Sequence, residues 1–238
     1  MKKEFVAVLD SGVGGLSVLS KLTKTFPTEN FIYLGDNSNA PYGSKSKSEL
    51  LSITIENLSY LSKFNLKAVF IACNTLSLKL FQDIKLLSPV PTFFIFPPVE
   101  SCILKGYKTL LLATPITCSF YKETATFKIS PLEDLAKGIE DNLFNLKDLD
   151  ISRFIPPIKQ KFDAVILGCT HYNFVKNQIF NHLKPLLITD GIDNTINNAL
   201  KSNLFIKSSV KTLNNQVLFV GDNHKTNQKF WNLVGKIL

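Results

Sequence analysis

The chain has 238 residues, of which 45% are hydrophobic and 19% are charged, and it carries a formal net charge of +8. This length and composition predict a folded globular protein of one or two domains and exclude a disordered chain. No apolar run is long enough to cross a membrane, and Met1-Lys2-Lys3-Glu4 leads into a strand without a signal-peptide core. The sequence therefore predicts a cytoplasmic protein.

The positive charge raises the question of a nucleic-acid partner, because a basic surface attracts phosphates. Arg153 is the only arginine, so the side chain that grips phosphates and guanine edges is nearly absent. The lysines are dispersed along the chain rather than clustered. We favour a solvated, lysine-rich surface over a nucleic-acid face, and the positive field would attract a small anionic substrate.

Short apolar runs alternate with longer helical patterns along the chain. The runs are apolar at nearly every position, as in parallel strands covered by helices on both faces. The leucines of two helical stretches repeat on one face of each helix. This βαβα order predicts a doubly wound α/β fold. The predicted strands are 5–9, 31–34, 68–72, 92–96, 109–113, 164–167, 186–188 and 217–220, and the helical faces are Leu16, Leu19 and Leu22, then Leu51, Ile55, Leu58 and Leu61.

A proline-marked break, Phe96-Pro97-Pro98-Val99, lies near the middle of the chain. We predict two doubly wound parallel-sheet lobes that face each other across a cleft. The first lobe comprises residues 1–96 and 208–238, so that the last strand and helix return to it, and the second comprises residues 97–207.

In such sheets ligands bind beyond the carboxyl ends of the strands. Polar or reactive residues stand at six of these predicted ends, so we expect the chemistry there. They are Asp10, Asp36, Cys73, Thr114, Cys169 and Asp222.

The segment Asp10-Ser11-Gly12-Val13-Gly14-Gly15 joins a strand to a helix through a glycine-rich turn. Backbone amides at the start of the helix can receive a carboxylate or a phosphate. The glycine spacing does not fit the dinucleotide fingerprint, so a nucleotide site is weakly supported. A tight turn with no binding role is the alternative interpretation, but Asp10 and Ser11 favour a site.

The loop Pro41-Tyr42-Gly43 follows the second predicted strand. An ordinary turn accounts for its composition. Alternatively, the loop presents backbone amides to an anion.

The four cysteines, Cys73, Cys102, Cys118 and Cys169, are too scattered for a disulfide scaffold and are predicted to be free thiols. Buried cysteines are usually apolar fillers, the role we assign to Cys102 and Cys118. Cys73 and Cys169 instead follow strands and precede hydrogen-bonding residues. Two such thiols suit an enzyme that removes a proton from one face of a carbon and returns one to the other.

A free thiol is only slightly ionised at neutral pH and needs help to act as a base. Asp10 is a candidate helper for one thiol and His171 for the other. Zinc could use Cys73, Cys169 and His171 as ligands, but no Cys-x-x-Cys or His-x-x-x-His pair supports that alternative. We therefore expect no metal.

Four blocks of the sequence, in order, resemble the signature blocks of glutamate racemase, within the aspartate/glutamate racemase superfamily. The blocks are 10–19 (DSGVGGLSVL), 35–36 (GD) with 41–43 (PYG), 72–75 (ACNT) and 168–172 (GCTHY). The resemblance spans most of the chain.

The resemblance implies a cofactor-independent racemase that interconverts L- and D-glutamate and supplies D-glutamate for peptidoglycan. It implies that Cys73 and Cys169 are the acid/base residues, with Asp10 assisting the first and His171 and Glu140 the second. It also implies a homodimer. The substrate-binding residues would be Asp10, Ser11, Pro41, Tyr42, Gly43, Cys73, Asn74, Thr75, Thr117, Cys169, Thr170 and His171.

The chain departs from the family pattern at Asn39, at Leu76 and at Asn173-Phe174, and its stretch 117–140 is short, with Lys137-Gly138 before Glu140. Since this stretch would form a wall of the cleft, two alternatives to glutamate racemase remain open. One is a racemase for another amino acid, such as aspartate. The other is a non-catalytic paralogue that binds an acidic ligand or a partner protein.

Overall fold

The computed structural model describes residues 4–205 and the backbone of residues Val217–Val220. The predicted strand-end residue Asp222 lies outside the described residues, as does the rest of the predicted segment 208–238.

The nine strands within the described residues include all eight that were predicted, with ends shifted by at most a few residues. They are β1 (Phe5–Asp10), β2 (Asn30–Gly35), β3 (Leu66–Ile71), β4 (Thr92–Phe94), β5 (Thr109–Ala113), β6 (Phe127–Pro131), β7 (Ala164–Gly168), β8 (Leu187–Thr189) and β9 (Val217–Val220).

The described helices alternate with these strands. They are α1 (Leu16–Thr25), α2 (Lys47–Leu61), α3 (Asn74–Lys79), α4 (Phe81–Leu87), α5 (Val99–Leu104), α6 (Pro115–Cys118), α7 (Leu135–Asp141), α8 (Lys176–Leu183) and α9 (Ile192–Lys201). Short 3₁₀ helices cover Tyr42–Ser44, Leu146–Asp148, Ile151–Arg153 and Thr170–Val175.

The strands form two parallel sheets, which confirms the predicted fold class. The first sheet has the order β4-β3-β1-β2-β9 and the second the order β6-β5-β7-β8. Every residue of β1, β5 and β7 is buried, because helices cover both faces of these central strands. The pairing of β9 with β2 brings residues 217–220 to the first sheet. The division into domains at residue 97 stays a prediction.

A continuous apolar cluster links the two sheets. It includes Val6 and Phe70 of the first sheet together with Leu112 and Val165 of the second. Phe205, at the end of the continuous described segment, packs on Phe70 with a distance of 5.8 Å between ring centroids. Burial of this shared surface holds the carboxyl ends of the two sheets close to each other.

Strand β6 was not predicted. Only its first and fourth residues are buried, and Lys128, Ser130 and Pro131 interrupt its apolar residues. It pairs only with β5, at the edge of the second sheet. An edge strand is half exposed and tolerates polar residues and proline, so it lacks the continuous apolar signal of the central strands.

The predicted buried face of α2 was also partly wrong. The buried residues are Leu50, Thr54, Leu58 and Leu61, while Ile55 is 45% exposed. Thr54 can occupy the buried face because its hydroxyl donates a hydrogen bond to the carbonyl of Leu50 at 2.6 Å. The prediction for α1 is confirmed, since Leu16, Leu19 and Leu22 are all buried.

Among the described residues, no helix is both long and apolar enough to cross a membrane.

Replacement of Leu19 should test the packing of α1. Leu19 is fully buried, and Leu19→Ala should lower the free energy of unfolding by about 2–5 kcal/mol, because it removes buried methyl groups and leaves a cavity. Leu104 is 87% exposed, so the matched variant Leu104→Ala should change stability by less than about 0.5 kcal/mol. Urea unfolding followed by circular dichroism measures both effects. Equal effects of the two variants would contradict the placement of α1.

Candidate active site

A cleft of about 580 Å³ lies where the carboxyl ends of the two sheets meet. Most of the predicted site residues line it, but Asp10 and Thr117 are fully buried and lie behind its surface. The predicted residues that line the cleft are Ser11, Pro41, Tyr42, Gly43, Cys73, Asn74, Thr75, Glu140, Cys169, Thr170 and His171.

The glycine-rich turn after β1 uses its amides to bind carboxylates of the protein itself. The amide of Gly15 donates to Asp10 Oδ2 at 2.6 Å. The amide of Val13 donates to Glu140 Oε1 at 3.0 Å. The sequence predicts that these amides receive a carboxylate or phosphate, and in the structure two protein carboxylates take that place.

Only glycine fits at two positions of this turn, because residues that follow strands of the second sheet lie very close to it. A Cβ atom on Gly12 would collide with Oε1 of Glu140, and one on Gly14 would lie 2.6 Å from Nδ1 of His171. Both distances are shorter than a Cβ atom tolerates to a non-bonded neighbour. The glycines therefore allow the turn to sit directly against the residues that follow β6 and β7.

Cys169, His171 and Glu140 form a chain of hydrogen bonds. Cys169 Sγ lies 3.8 Å from His171 Nδ1, and His171 Nε2 lies 2.7 Å from Glu140 Oε1. Burial by itself would lower the pKa of His171, but its bonds to Cys169 and Glu140 outweigh burial and raise the pKa well above 6.5. Burial opposes ionisation of Glu140 as well, yet the bond with His171 lowers its pKa.

Cys73 lies at the start of α3, just beyond β3, and is buried near Asp10. Burial, and then the negative charge of Asp10, raise the pKa of the Cys73 thiol to about 12. Burial also raises the pKa of Asp10 to about 6, although the charge of His171 and the amide of Gly15 oppose this shift. Oδ1 of Asp10 has no hydrogen-bond partner among the described residues.

Three threonines share hydrogen bonds beside Cys73. Thr75 Oγ1 lies 3.2 Å from Thr114 Oγ1 and 3.4 Å from Thr117 Oγ1. Thr114 donates to Thr117 at 3.2 Å. Oδ1 of the neighbouring Asn74 is buried and has no partner within the described part of the chain. This part of the cleft wall thus offers hydroxyl groups and the free amide oxygen of Asn74.

The loop Pro41-Tyr42-Gly43 lines the cleft, but the Tyr42 hydroxyl donates to Asp36 Oδ2 at 2.5 Å. Asn39 and Asn57 also donate to the Asp36 carboxylate. The phenol therefore anchors the loop to β2 and α2. The peptide bond between Ala40 and Pro41 is cis.

A group of cleft residues lies on and just before α7 and was not predicted from the sequence. Leu135 and Ile139, spaced four residues apart, are buried and were the available signal for a helix. The helix was not recognised because a stretch of seven residues gives a weak periodic pattern. The missed residues of this group are Glu133, Asp134, Ala136 and Lys137, and the other missed residues that line the cleft are Asn37, Ala40, Ser44, Pro115 and Gly168. Thr114 also lines the cleft, at the strand end where the sequence predicts chemistry.

In the part of the chain that the structure describes, no group of three or more His, Cys, Asp or Glu side chains is arranged to hold a metal ion.

No family model matches this chain. The chain is 34% identical over 212 residues to the glutamate racemase of Clostridium acetobutylicum, an alignment that covers 82% of each protein. Its structure is similar to that of the glutamate racemase of Campylobacter jejuni, with a TM-score of 0.79, 21% identity and coverage of 97% and 98%. It is also similar to the Escherichia coli glutamate racemase in complex with L-glutamate, with a TM-score of 0.77, 22% identity and coverage of 99% and 95%.

The bond between Glu140 and His171 can be tested by NMR titration. We expect the imidazole of His171 to remain protonated well above pH 6.5, and the Glu140→Gln variant to lose much of this elevation, because it removes the negative partner. A raised histidine pKa stabilises the folded state below about pH 6.5, and this contribution disappears as the pH rises through the folded-state value. The variant should therefore differ most from the wild type in stability at neutral and mildly acidic pH.

Proton–nitrogen correlation spectra of the imidazole nitrogens measure this titration, and a His171→Asn variant assigns the signal. Identical titration curves for His171 in the wild type and in Glu140→Gln would show that the carboxylate does not control the imidazole.

Proposed function

Since the chain belongs to the glutamate racemase family of isomerases, we propose that it interconverts L- and D-glutamate without a cofactor, with Cys73 and Cys169 as the two acid/base residues. The observation that carries this proposal is that both thiols line one cleft, with Cys169 beside His171 and Cys73 near the charge of Asp10. Cys73 follows β3 of the first sheet and Cys169 follows β7 of the second. Because the two thiols come from different sheets, this placement supports a mechanism in which they approach a bound amino acid from different sides.

Each turnover moves one proton off the α-carbon and another one onto it. The thiolate of one cysteine takes the α-proton and becomes a thiol, and the electron pair of the broken C–H bond passes to the α-carbon and its carboxylate. The thiol of the other cysteine then protonates the opposite face and becomes a thiolate. The two cysteines have exchanged protonation states, and the configuration of the α-carbon is inverted.

The two thiols lie beside different charged groups. Burial raises the pKa of Cys73 to about 12, so this cysteine is almost entirely a thiol at pH 7. Cys73 is therefore ready to donate a proton, and Asp10, with a pKa of about 6, is mostly a carboxylate that can receive one when Cys73 acts as the base. His171 acts in the opposite sense, because its bond with Glu140 keeps the imidazole charged. The imidazolium can therefore donate a proton to Cys169 but cannot receive one.

The cleft provides hydrogen-bonding groups for the substrate and for the charge that develops on it. The unpartnered Oδ1 of Asn74 is placed to accept a hydrogen bond from the substrate ammonium group. Fixed donors in a cleft that excludes water stabilise a carbanion far better than solvent does. We assign substrate contacts to Ser11, Pro41, Gly43, Asn74, Thr75 and Thr170 and supporting positions to Asp10, Tyr42 and Thr117.

The biological role is also proposed from the family: the protein acts in the cytoplasm as a homodimer and supplies D-glutamate for peptidoglycan. The Escherichia coli relative binds L-glutamate, which supports an amino-acid substrate. A racemase for aspartate is the second candidate, because the stretch 117–140 departs from the family pattern and α7, which begins within it, lines the cleft. A non-catalytic paralogue is less well supported, since both thiols and their partners are in place.

Replacement of either cleft cysteine by serine should abolish racemisation. A serine hydroxyl is far less acidic than a thiol, so Cys73→Ser and Cys169→Ser should each lower kcat by at least about 10²-fold. The measurement is the circular-dichroism signal of L-glutamate over time, without pyridoxal phosphate or metal and with L-aspartate in parallel. Cys102 is buried outside the cleft, so Cys102→Ser is the matched control and should retain activity.

Full activity in either cleft variant would falsify the two-thiol mechanism. Decay of the aspartate signal alone would move the assignment to the second candidate, and no decay with either amino acid would support the paralogue.

A further inference from the structure

Helix α7 presents a defined face to the cleft. Leu135 and Ile139 are fully buried in the apolar cluster. Gly138 lies so close to Phe154 that a Cβ atom would sit 2.5 Å from the ring. These contacts fix the rotation of the helix about its axis, and Lys137 and Glu140, three residues apart, are left on the side that lines the cleft.

The charges on this wall are mostly negative. Glu133, Asp134 and Glu140 line the cleft, and Glu140 is held by His171 and Val13. Lys137 is the one lysine or arginine among the described residues that line it. An amino acid with a second carboxylate would meet repulsion from the acidic residues. The charged His171 is already paired with Glu140, so Lys137 is the group that can offset this repulsion.

Lys137 is free to change its partner. Its ammonium group lies 2.6 Å from Asp141 Oδ2, one turn along the helix, and the two side chains are 66% and 58% exposed. Exposed ion pairs of this type contribute little to stability. The lysine stem is flexible, so little opposes exchange of Asp141 for a carboxylate that enters the cleft.

We propose that Lys137 is a specificity-determining residue: its ammonium group leaves Asp141 and binds the side-chain carboxylate of the substrate, so that the cleft selects dicarboxylic over neutral amino acids. This inference rests on the proposed function and adds the residue that recognises the second carboxylate.

Four variants test the inference. Lys137→Met keeps the length of the side chain without its charge, and we expect KM for L-glutamate to rise about fivefold with kcat within about twofold of the wild type. Lys137→Arg should recover most of the affinity. Asp141→Asn should lower KM about twofold, because it frees the lysine. Lys105→Met, an exposed lysine outside the cleft, should leave KM unchanged.

The rise in KM should shrink at high salt, because the attraction is electrostatic. A change in kcat with KM unchanged, or equal KM values in Lys137→Met and the wild type, would overturn the inference.

Calorimetric titration with glutarate separates this inference from the proposed function, since binding of this dicarboxylate needs no turnover. We expect the affinity of Lys137→Met for glutarate to be about fivefold below that of the wild type, and butyrate to bind both proteins equally weakly. Equal affinities for glutarate, or no binding of glutarate to the wild type, would overturn the role of Lys137. Absence of racemisation in a protein that shows the expected difference in glutarate binding would instead contradict only the proposed function.

Discussion

The carboxylate of Glu140 joins the two halves of the site. One oxygen, Oε1, accepts hydrogen bonds from the amide of Val13 and from His171, so it binds the glycine-rich turn of the first sheet and the residue beyond β7 of the second. This bond requires Gly12 and Gly14, since any side chain there would push the turn away. The relative position of the two thiols depends on the same contact.

Burial of this junction accounts for the electrostatics of the site. Loss of water disfavours the charged form of an isolated group, and this effect is the largest cause of the raised pKa values of Cys73 and Asp10. His171 is also buried and Glu140 is partly buried, but each is the hydrogen-bonded partner of the other, so both remain charged. The cleft therefore contains a protonated thiol on one side and a charged histidine–carboxylate pair on the other.

Much of the fold could be predicted from the sequence, because central parallel strands are apolar at every position and end at recognisable polar residues. Strand β6 and helix α7 could not be predicted in this way. One is a half-exposed edge strand and the other is a short helix, and both give weak periodic signals. The wall of the cleft that carries Lys137 lies in this same region, so the missed elements also concealed missed site residues.

The sequence by itself determined which residue types stand at the strand ends, and hence the two thiols, the glycine-rich turn and the family. Only the tertiary structure decided which of these groups meet. Asp10 lies behind the cleft surface, the hydroxyl of Tyr42 binds Asp36, and the Gly-rich turn receives Glu140 from 127 residues along the chain. Periodicity is a local property that a chain carries in its residue order, whereas these contacts depend on how the loops and the two sheets pack in three dimensions.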